Sequence, residues 1–399
     1  MRLLFIHANF DTKPEYSVHQ TLAEHTNLQC IESYFVWQSS AANEQIVRHS
    51  HNPERYSFYD FGRDMSLMPK PSRSKRAAMM LHRLPKGLRF LAQKIQQIQP
   101  NFIYTSQQQY DVWLAKMLCT AFHIPHIIHI HYPIGPDLGP GISRAIVKTR
   151  RVIAVSEFIR ENAIRAGASR DQVHTVHATI PLTPFDRPKN SDALRAEFHW
   201  PLDSQVIVAV GRLDPSKGHR LLIEAFDIVR RKNSRARLLI CGVSTIQADY
   251  RQALERRVID LGMQGQVAFA GHRDDMPFIY SGADIFCLPT VDEAFGLVFL
   301  EAMAAALPTV GVASGGVPEI IRHMETGLLS ELGNVDALVA NLQLLLHNDD
   351  LARQLGAAGK IRAFAKFAPE ITAARWKSLL HGPLRTPRSL ATVDIYDRL

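Results

Sequence analysis

The chain has 399 residues, of which 46% are hydrophobic and 21% charged, and its formal net charge is +8. This length exceeds what one hydrophobic core usually supports, so we expect two domains. The composition excludes a mostly disordered chain. The excess of basic over acidic residues favours acidic partners, such as anionic lipid, nucleic acid or a phosphorylated substrate.

Two features of the sequence bear on its compartment. It has no apolar run of about 18 residues, and its start, RLLFIHA, is better explained as a first strand than as a signal peptide. The four cysteines, Cys30, Cys119, Cys241 and Cys287, lack the paired spacing of a zinc or redox site. We expect Cys241 and Cys287 to be buried thiols, and the location to be reducing and cytoplasmic.

The first half of the chain alternates apolar runs with helical patterns. We predict strands at residues 3–8, 29–36, 102–105, 126–131, 152–155 and 173–177, and helices at 17–25, 77–98, 110–122 and 157–166. This alternation predicts a parallel, doubly wound sheet. The segment 43–72 has no clear period and receives no element.

A proline-rich segment, IPLTPFDRPKN at residues 180–190, is the best candidate for a linker. A second series follows, with predicted strands at 206–210, 237–241, 267–270, 285–288 and 309–312, and helices at 221–231, 250–261, 296–306 and 335–347. We therefore predict an α/β fold with domains at residues 1–185 and 186–369 facing a central cleft, where ligands bind outside the carboxyl ends of the strands. A last helix is expected near 370–380.

Residues 285–321 are the most informative stretch, with the pattern strand, loop, helix, strand, glycine loop, helix. Glu293 falls in the first loop, and Glu301 lies one to two turns into the helix. The first amides of that helix, which lack intrahelical partners and could hold an anion, belong to Phe295, Gly296, Leu297 and Val298. Two hydroxyl-binding carboxylates thus flank a candidate phosphate site, and the glycines of loop 314–316 could approach a ligand closely. The alternative is a solvated pair of carboxylates beside an ordinary βαβ unit.

The loop after the strand at 206–210 carries two cations. It reads GRLDPSKGH, so Arg212 and Lys217 follow the carboxyl end of a strand, next to Gly211. Paired cations in this position are suited to a diphosphate. A basic surface loop is the alternative interpretation.

Two histidines lie near the end of the strand in IPHIIHIHYP. Strand alternation places His129 and His131 on the same face. A metal pair is conceivable, but the spacing supplies no third ligand. A neutral ring that hydrogen-bonds a sugar hydroxyl and a core histidine are the other interpretations of His131.

One ordered set of residues carries a family resemblance. Pro289, Glu293, Phe295-Gly296-Leu297, Glu301-Ala302 and Gly315-Gly316-Val317-Pro318-Glu319 occur in the order and spacing of family-4 glycosyltransferases. The chain therefore resembles the GT-B architecture, with two Rossmann-like domains. The resemblance implies a retaining transferase that moves a sugar from a UDP- or GDP-sugar to a glycan or lipid-linked acceptor, in polysaccharide or glycoconjugate synthesis.

The resemblance also implies roles for individual residues. The first domain would bind the acceptor and the second the donor, and a C-terminal helix at about 370–399 would pack back onto the first domain. Arg212 and Lys217 would bind the diphosphate, and Glu301 the ribose. Glu293 and the amides after it would bind the sugar, which His131 would also contact. Gly211 would belong to the phosphate loop and Gly271 to the nucleotide site.

The sequence departs from the family in two loops. The loop after the first strand reads NFDTKPEYSVHQ and lacks the usual glycine pair, and HATIPLTP lacks the usual Asn-Gly. The sequence contains no Asp-x-Asp triplet of the kind that holds Mn²⁺ or Mg²⁺, so we expect no metal or other cofactor.

Basic segments at residues 70–90 and 148–151 suggest a peripheral site on an anionic membrane, with a solvated helix face as the alternative. No nucleic-acid-binding motif is visible. A non-catalytic sugar-nucleotide-binding subunit and a GT-B phosphorylase or epimerase are alternative functions. An oxidoreductase is disfavoured, because no Gly-x-Gly-x-x-Gly follows the first strand of either half.

Overall fold

The structure is a computed structural model, and it describes residues 1–8, 14–26, 31–40, 43–44, 47, 52–61, 73–135, 138–244 and 249–382. The strands of these residues form two separate parallel sheets, one from each half of the chain. The predicted parallel, doubly wound α/β organisation is confirmed.

The first sheet has seven strands in the order β3-β2-β1-β4-β5-β6-β7. Its strands are β1 (Arg2–His7), β2 (Glu32–Gln38), β3 (Tyr56–Tyr59), β4 (Phe102–Ser106), β5 (His126–Ile130), β6 (Arg151–Ala154) and β7 (Val173–Thr175). The accompanying helices are α1 (Pro14–Glu24), α2 (Arg73–Ile98), α3 (Gln109–Phe122), α4 (Gly139–Lys148) and α5 (Glu157–Arg165). The central strands are largely apolar and almost entirely buried, as expected for strands covered on both faces.

The second sheet has six strands in the order β10-β9-β8-β11-β12-β13. Its strands are β8 (Gln205–Val210), β9 (Ala236–Cys241), β10 (Val267–Gly271), β11 (Ile285–Cys287), β12 (Thr309–Val312) and β13 (Leu328–Ser330). Its helices are α6 (Ser191–Glu197), α7 (His219–Lys232), α8 (Tyr250–Asp260), α9 (Met276–Gly282), α10 (Leu297–Ala304), α11 (Val317–Ile320) and α12 (Val335–His347). In both sheets the strand order reverses beside the first strand of the half, which is the feature of a doubly wound fold that creates a ligand crevice.

Two helices complete the described chain, α13 (Asp349–Phe367) and α14 (Pro369–His381). The second of these packs against the first sheet, where Trp376 Nε1 donates to Tyr104 Oη at 3.1 Å. Arg151 also donates to the carbonyl of Leu380 at 3.2 Å. Residues 383–399 of the C-terminal segment lie outside the described residues.

Arg151 corrects part of the membrane interpretation of segment 148–151. Arg151 is only 5% exposed, and its guanidinium donates to main-chain carbonyls of α14 and of Gly382. It is therefore a structural contact and not a surface cation. Of the other basic segment, residues 70–72 lie outside the described residues, and 73–90 form the first part of α2. Among the described helices, none combines the length and apolar content that crossing a bilayer requires.

Six elements of the described chain were not predicted from the sequence, namely the helices α4, α6 and α9 and three others. β3 lies in the segment 43–72 and pairs with β2, and β13 is only three residues long. The third, α13, contains Gly356 and Gly359, which lower its intrinsic helix propensity. The structure shows why glycine is tolerated there, because a Cβ on Gly356 would lie 2.2 Å from the carbonyl oxygen of Ala306. Close packing of α13 on the turn after α10 therefore outweighs the local preference.

Candidate functional site

The site lies where the order of the second sheet reverses, between β8 and β11. The loops that leave these two strands contact each other directly. The amide of Val291 donates to the carbonyl of Ser216 at 2.7 Å. Gly218 has a φ of +72°, and a Cβ there would lie 2.0 Å from the carbonyl oxygen of Pro289. Glycine is required at this position because the two loops approach so closely.

This approach brings together two of the predicted site residues, Lys217 and Glu293. Lys217 Nζ donates to Glu293 Oε2 at 2.6 Å, and the two side chains are only 17% and 15% exposed. Thr290 Oγ1 lies 3.2 Å from the same carboxylate oxygen. The pair forms a charge-assisted contact that is largely shielded from bulk water. Such contacts are strongest when they are shielded in this way.

Arg212 is placed differently from Lys217, although both belong to the loop after β8. Its side chain is 53% exposed, and its guanidinium lies 3.3 Å from Asp214 Oδ2. Asp214 also caps the turn at residues 215–217 by accepting from the amide of Ser216 at 3.0 Å. Asp214 therefore fixes the loop conformation and pairs with an Arg212 side chain that is about half exposed.

Glycines form the carboxyl ends of the neighbouring strands. The amide of Gly211 donates to Cys241 O at 3.0 Å, and the amide of Gly242 donates to Gly271 O at 2.7 Å. A Cβ on Gly242 would lie 1.9 Å from the carbonyl oxygen of Gly211. The predicted positions Gly211 and Gly271 thus belong to one closely packed edge of main chain.

The predicted helix start is confirmed, with Gly296 as the N-cap of α10 at a φ of +104°. The N-cap has no side chain to accept from the first amides, which include those of Leu297 and Val298. The ring of Phe295 is buried, and it stacks on His177 with ring centroids 5.5 Å apart. Phe295 can therefore offer its backbone to a ligand but not its ring.

Glu301 lies in the second turn of α10 beside a buried tyrosine. Tyr280 Oη donates to Glu301 Oε2 at 2.8 Å. Burial of the carboxyl raises the pKa of Glu301 to about 7, and the hydrogen bond from Tyr280 only partly offsets this effect. Glu301 is thus a carboxylate with an oxygen available to hydroxyl donors and a protonation equilibrium near neutral pH.

The glycine loop at residues 314–316 contacts the loop that carries Glu293. The amide of Gly316 donates to Glu293 O at 2.7 Å, and the amide of Asp292 donates to Ser314 Oγ at 3.0 Å. A Cβ on Gly315 would lie 2.3 Å from the carbonyl oxygen of Glu293. The glycines therefore pack against the loop that carries Glu293 and hold it in place, and their close approach to a ligand stays a prediction.

His131, predicted to contact the sugar, lies at the carboxyl edge of the first sheet. Its ring is 9% exposed, and its Nε2 lies 3.1 Å from His19 Nε2. Burial lowers the pKa of His131 to about 3, so the ring is neutral at physiological pH. Burial likewise lowers the pKa values of His19 and His129 well below their usual range, with a smaller effect from neighbouring histidines.

Two residues that the sequence did not single out for this site, Glu319 and His177, connect the sheets. The carboxylate of Glu319 accepts from the amides of Glu157 and Phe158, both at 2.9 Å, and from His177 Nε2 at 3.1 Å. Burial raises the pKa of Glu319, but these hydrogen bonds outweigh it, so the pKa is lowered overall. Nearby, Ser156 caps α5 by accepting from the amide of Ile159, and its hydroxyl donates to Ala294 O at 2.6 Å. The pattern GGVPE contained Glu319, but no local signal shows that its partner is the start of α5.

Two family models match the chain. The model described as Glycosyl transferases group 1 matches residues 190–362, and the model described as Glycosyltransferase Family 4 matches residues 44–183. The two matches follow each other without overlap, and together they cover the strands from β3 to β13.

Curated relatives agree with these models. A D-inositol 3-phosphate glycosyltransferase of Corynebacterium efficiens is 29% identical over 282 residues, which are 67% of this chain and 66% of that protein. A GDP-mannose-dependent alpha-(1-6)-phosphatidylinositol monomannoside mannosyltransferase of Mycobacterium tuberculosis is 32% identical over 51% of this chain and 54% of that protein. The chain thus spans about half to two thirds of the length of these relatives.

Solved structures share the whole fold. Anabaena HepE, solved in complex with UDP and glucose, matches with a TM-score of 0.78 at 18% identity, covering 95% of this chain and 99% of that one. Sucrose-phosphate synthase from Thermosynechococcus elongatus matches with a TM-score of 0.76 at 22% identity, covering 95% and 98%. The predicted GT-B fold of two Rossmann-like domains is confirmed. The two family models, which match one half of the chain each, show that this chain belongs to the group 1 glycosyltransferases of family 4.

Proposed function

We propose that the chain transfers a sugar from a nucleotide-diphosphate-sugar to a glycan or lipid-linked acceptor, with retention of the anomeric configuration. The observation that carries the proposal is the contact of Lys217 with Glu293 at the reversal point of the second sheet. A cation and a carboxylate held together there match the two parts of such a donor, since phosphate oxygens need positive charge and sugar hydroxyls need acceptors. UDP in the structurally similar Anabaena HepE supports a nucleotide donor.

The second domain holds the donor in this proposal. Lys217 and Arg212 bind the diphosphate, together with the amides at the start of α10. Glu301 accepts hydrogen bonds from the ribose, and Glu293 from the transferred sugar. Arg212 has the exposed side chain needed to close over a bound phosphate, whereas Lys217 is already in place.

Catalysis in this proposal is chiefly electrostatic. As the bond between sugar and diphosphate breaks, negative charge grows on the leaving phosphate, and a preorganised cation stabilises it without reorganisation cost. The pairing of Lys217 with Glu293 also keeps the carboxylate from repelling the incoming phosphate. Mg²⁺ or Mn²⁺ has no part in this scheme.

The first domain holds the acceptor and the reacting face of the sugar. His131 has a neutral ring that can accept from or donate to a sugar hydroxyl. The names of the relatives, which include inositol phosphate and phosphatidylinositol mannoside transferases, support a polar or lipid-linked acceptor. We place the reaction in polysaccharide or glycoconjugate synthesis, in the cytoplasm or at the inner face of an anionic membrane.

Incubation with a panel of UDP- and GDP-sugars, followed by chromatography of the nucleotides, tests the proposal. Slow release of UDP or GDP with free sugar is expected for one donor, and NMR of the transferred product should show the donor anomer retained. Conversion to an isomeric nucleotide-sugar would instead indicate an epimerase, and sugar phosphate formed with added phosphate would indicate a phosphorylase. Donor binding without turnover, in the presence of candidate acceptors, would indicate a non-catalytic subunit.

A further inference from the structure

Three imidazoles from separate elements meet at the carboxyl end of the first sheet. His19 lies on α1, His129 lies in β5, and His131 directly follows β5. One ring nitrogen from each lies within 4.8 Å of the other two, and the three residues are 0%, 0% and 9% exposed. Strand alternation puts His129 and His131 on one face, and α1 supplies the third group that spacing in the sequence did not reveal.

Hydrogen bonding alone leaves this cluster incompletely paired. His19 Nε2 lies 3.1 Å from both His129 Nδ1 and His131 Nε2, but a neutral ring nitrogen carries one proton at most. Tyr104 Oη accepts from Trp376 Nε1 and lies 3.0 Å from His129 Nδ1, the same nitrogen that faces His19. The other ring nitrogen of His129, Nε2, is buried and has no hydrogen-bond partner among the described residues.

The distances suit a transition-metal ion. When a tetrahedral ion holds imidazole nitrogens at about 2.0–2.1 Å, those nitrogens lie about 3.4 Å from one another. The two spacings of 3.1 Å around His19 Nε2 come close to this value without any ion present. Imidazole ligands favour Zn²⁺, Ni²⁺ or Cu²⁺ over Mg²⁺ or Ca²⁺, which prefer oxygen.

The surroundings of the cluster are those of a metal ligand set. His7 Nε2 lies 2.9 Å from His19 Nδ1, so a His19 ring bound to metal through Nε2 would donate its remaining proton to His7. Such an outer hydrogen bond fixes the tautomer and orientation of a ligating histidine. The ring of Phe5 lies 5.7 Å from the ring of His19 and provides an apolar wall.

We propose that His19, His129 and His131 bind one zinc-class ion, with the fourth tetrahedral position left for water or a ligand oxygen. The site lies in the first domain and is separate from the donor residues of the second. An ion there takes the lone pair of His131 that the proposed function assigns to the sugar, so Zn²⁺ should slow transfer. That consequence rests on the proposed function, whereas binding of the ion does not.

Cobalt titration of the untagged, chelator-treated full-length protein tests the site. Co²⁺ in a tetrahedral imidazole site gives a visible absorption band, and one equivalent should saturate it. His19→Gln and His129→Gln should each weaken Co²⁺ binding by about 100-fold or more. His347→Gln removes an exposed histidine of the second domain and should leave the band unchanged.

Circular dichroism and nucleotide binding by the second domain show whether each variant is folded. Should the two buried variants unfold, His131→Gln decides, because its ring is at the edge of the cluster. The proposal is overturned if the unmodified protein shows no cobalt band, or if a folded ligand variant keeps the affinity of His347→Gln. The cobalt titration needs no transfer reaction. Its outcome is therefore independent of whether the proposed transferase activity is found.

Discussion

Lys217 Nζ and Glu293 Oε2 lie 2.6 Å apart, although 76 residues separate them in the chain. The contact joins the loop after β8 to the loop after β11, and both side chains are largely buried. Because Lys217 neutralises Glu293, a diphosphate can approach without meeting an unpaired carboxylate.

Replacement of Lys217 by alanine should therefore lower the transfer rate by about 100-fold, a typical loss for one preorganised stabilising group. The variant also leaves Glu293 unpaired, so nucleotide affinity should fall, and Lys217→Ala/Glu293→Gln should bind nucleotide better than Lys217→Ala alone. Steady-state kinetics and calorimetry measure the two effects. Lys232→Ala, at the exposed end of α7, serves as control. A folded Lys217→Ala protein with full activity would contradict the assignment.

Glu301→Ala should weaken nucleotide binding by about tenfold to a hundredfold. The reason is that hydrogen bonds to a charged group contribute about 1.5–3 kcal/mol, and the ribose loses its acceptor. Calorimetry with the preferred nucleotide measures the change. Tyr280→Phe keeps the carboxyl group but removes a hydrogen bond that lowers its pKa, so its affinity should approach that of the unmodified protein only at alkaline pH, where the carboxyl is ionised. Equal affinities for Glu301→Ala and the unmodified protein would exclude a ribose contact.

The raised pKa of Glu301 predicts a pH dependence of donor binding. With a pKa of about 7 in the free protein, the carboxyl is increasingly protonated below neutral pH and loses acceptor strength. Affinity for a nucleotide-sugar should thus fall as pH drops from 8 to about 6, and Glu301→Gln should remove most of this slope. Titrations at several pH values measure both. A slope that is the same in the variant would assign the titration to another group.

The raised pKa of Glu301 also makes the stability of the unliganded protein depend on pH. This dependence runs opposite to that of donor binding. Between the ordinary carboxyl value of 4.5 and about 7, the folded state binds more protons at Glu301 than the unfolded state does. The contribution of Glu301 therefore favours folding at the acidic end of this window and is lost as pH rises through about 7. Urea unfolding with Glu301→Gln as reference should show this difference.

The sequence predicted the site loops because their signals are local. Apolar runs were sufficient to predict β8 and β11. Lys217 and Glu293 follow the ends of these strands in the sequence, so both could be predicted to lie in loops at the carboxyl edge of the sheet. The spacing of Glu301 within a run of helix formers was sufficient to place it on α10.

Contacts between distant segments could not be predicted in this way. The pairing of Lys217 with Glu293, the contact of His19 with His129 and the packing of Gly315 depend on how helices, strands and loops that are distant in the sequence pack together. A charge or a glycine in a loop has the same local pattern whether it faces a ligand or a neighbouring loop. Long-range packing decided each case.

Glu319 should hold the two domains in their present arrangement. Its carboxylate accepts from the first amides of α5 and from His177, so Glu319→Ala leaves three donors without this acceptor. We expect a larger radius of gyration in small-angle X-ray scattering and a loss of about 1.5–3 kcal/mol in the free energy of unfolding. Because the pKa of Glu319 is lowered in the folded state, its contribution is present above the ordinary carboxyl value and is lost as pH falls through the folded value. Glu325→Ala, with a side chain 65% exposed, should change neither quantity.

Transfer should need neither Mg²⁺ nor Mn²⁺. Such ions bind closely spaced carboxylates, and the sequence has no Asp-x-Asp triplet. The adjacent aspartates Asp274 and Asp275 are poorly suited to such an ion, because Asp275 is engaged by Arg273 at 2.7 Å and the side chain of Asp274 is 97% exposed.

The positive potential that such an ion would provide has another source in the proposed mechanism. Lys217, Arg212 and the start of α10 supply it where the leaving diphosphate gains charge. EDTA should therefore not lower the rate of the unmodified protein, whereas Lys217→Ala should lower it with or without EDTA. EDTA can raise the rate where traces of zinc occupy the histidine cluster, and His19→Gln should abolish that increase without restoring a need for Mg²⁺. Loss of activity in EDTA with recovery on added Mg²⁺, in both the unmodified protein and His19→Gln, would show that a hard cation and not Lys217 carries the charge of the leaving group.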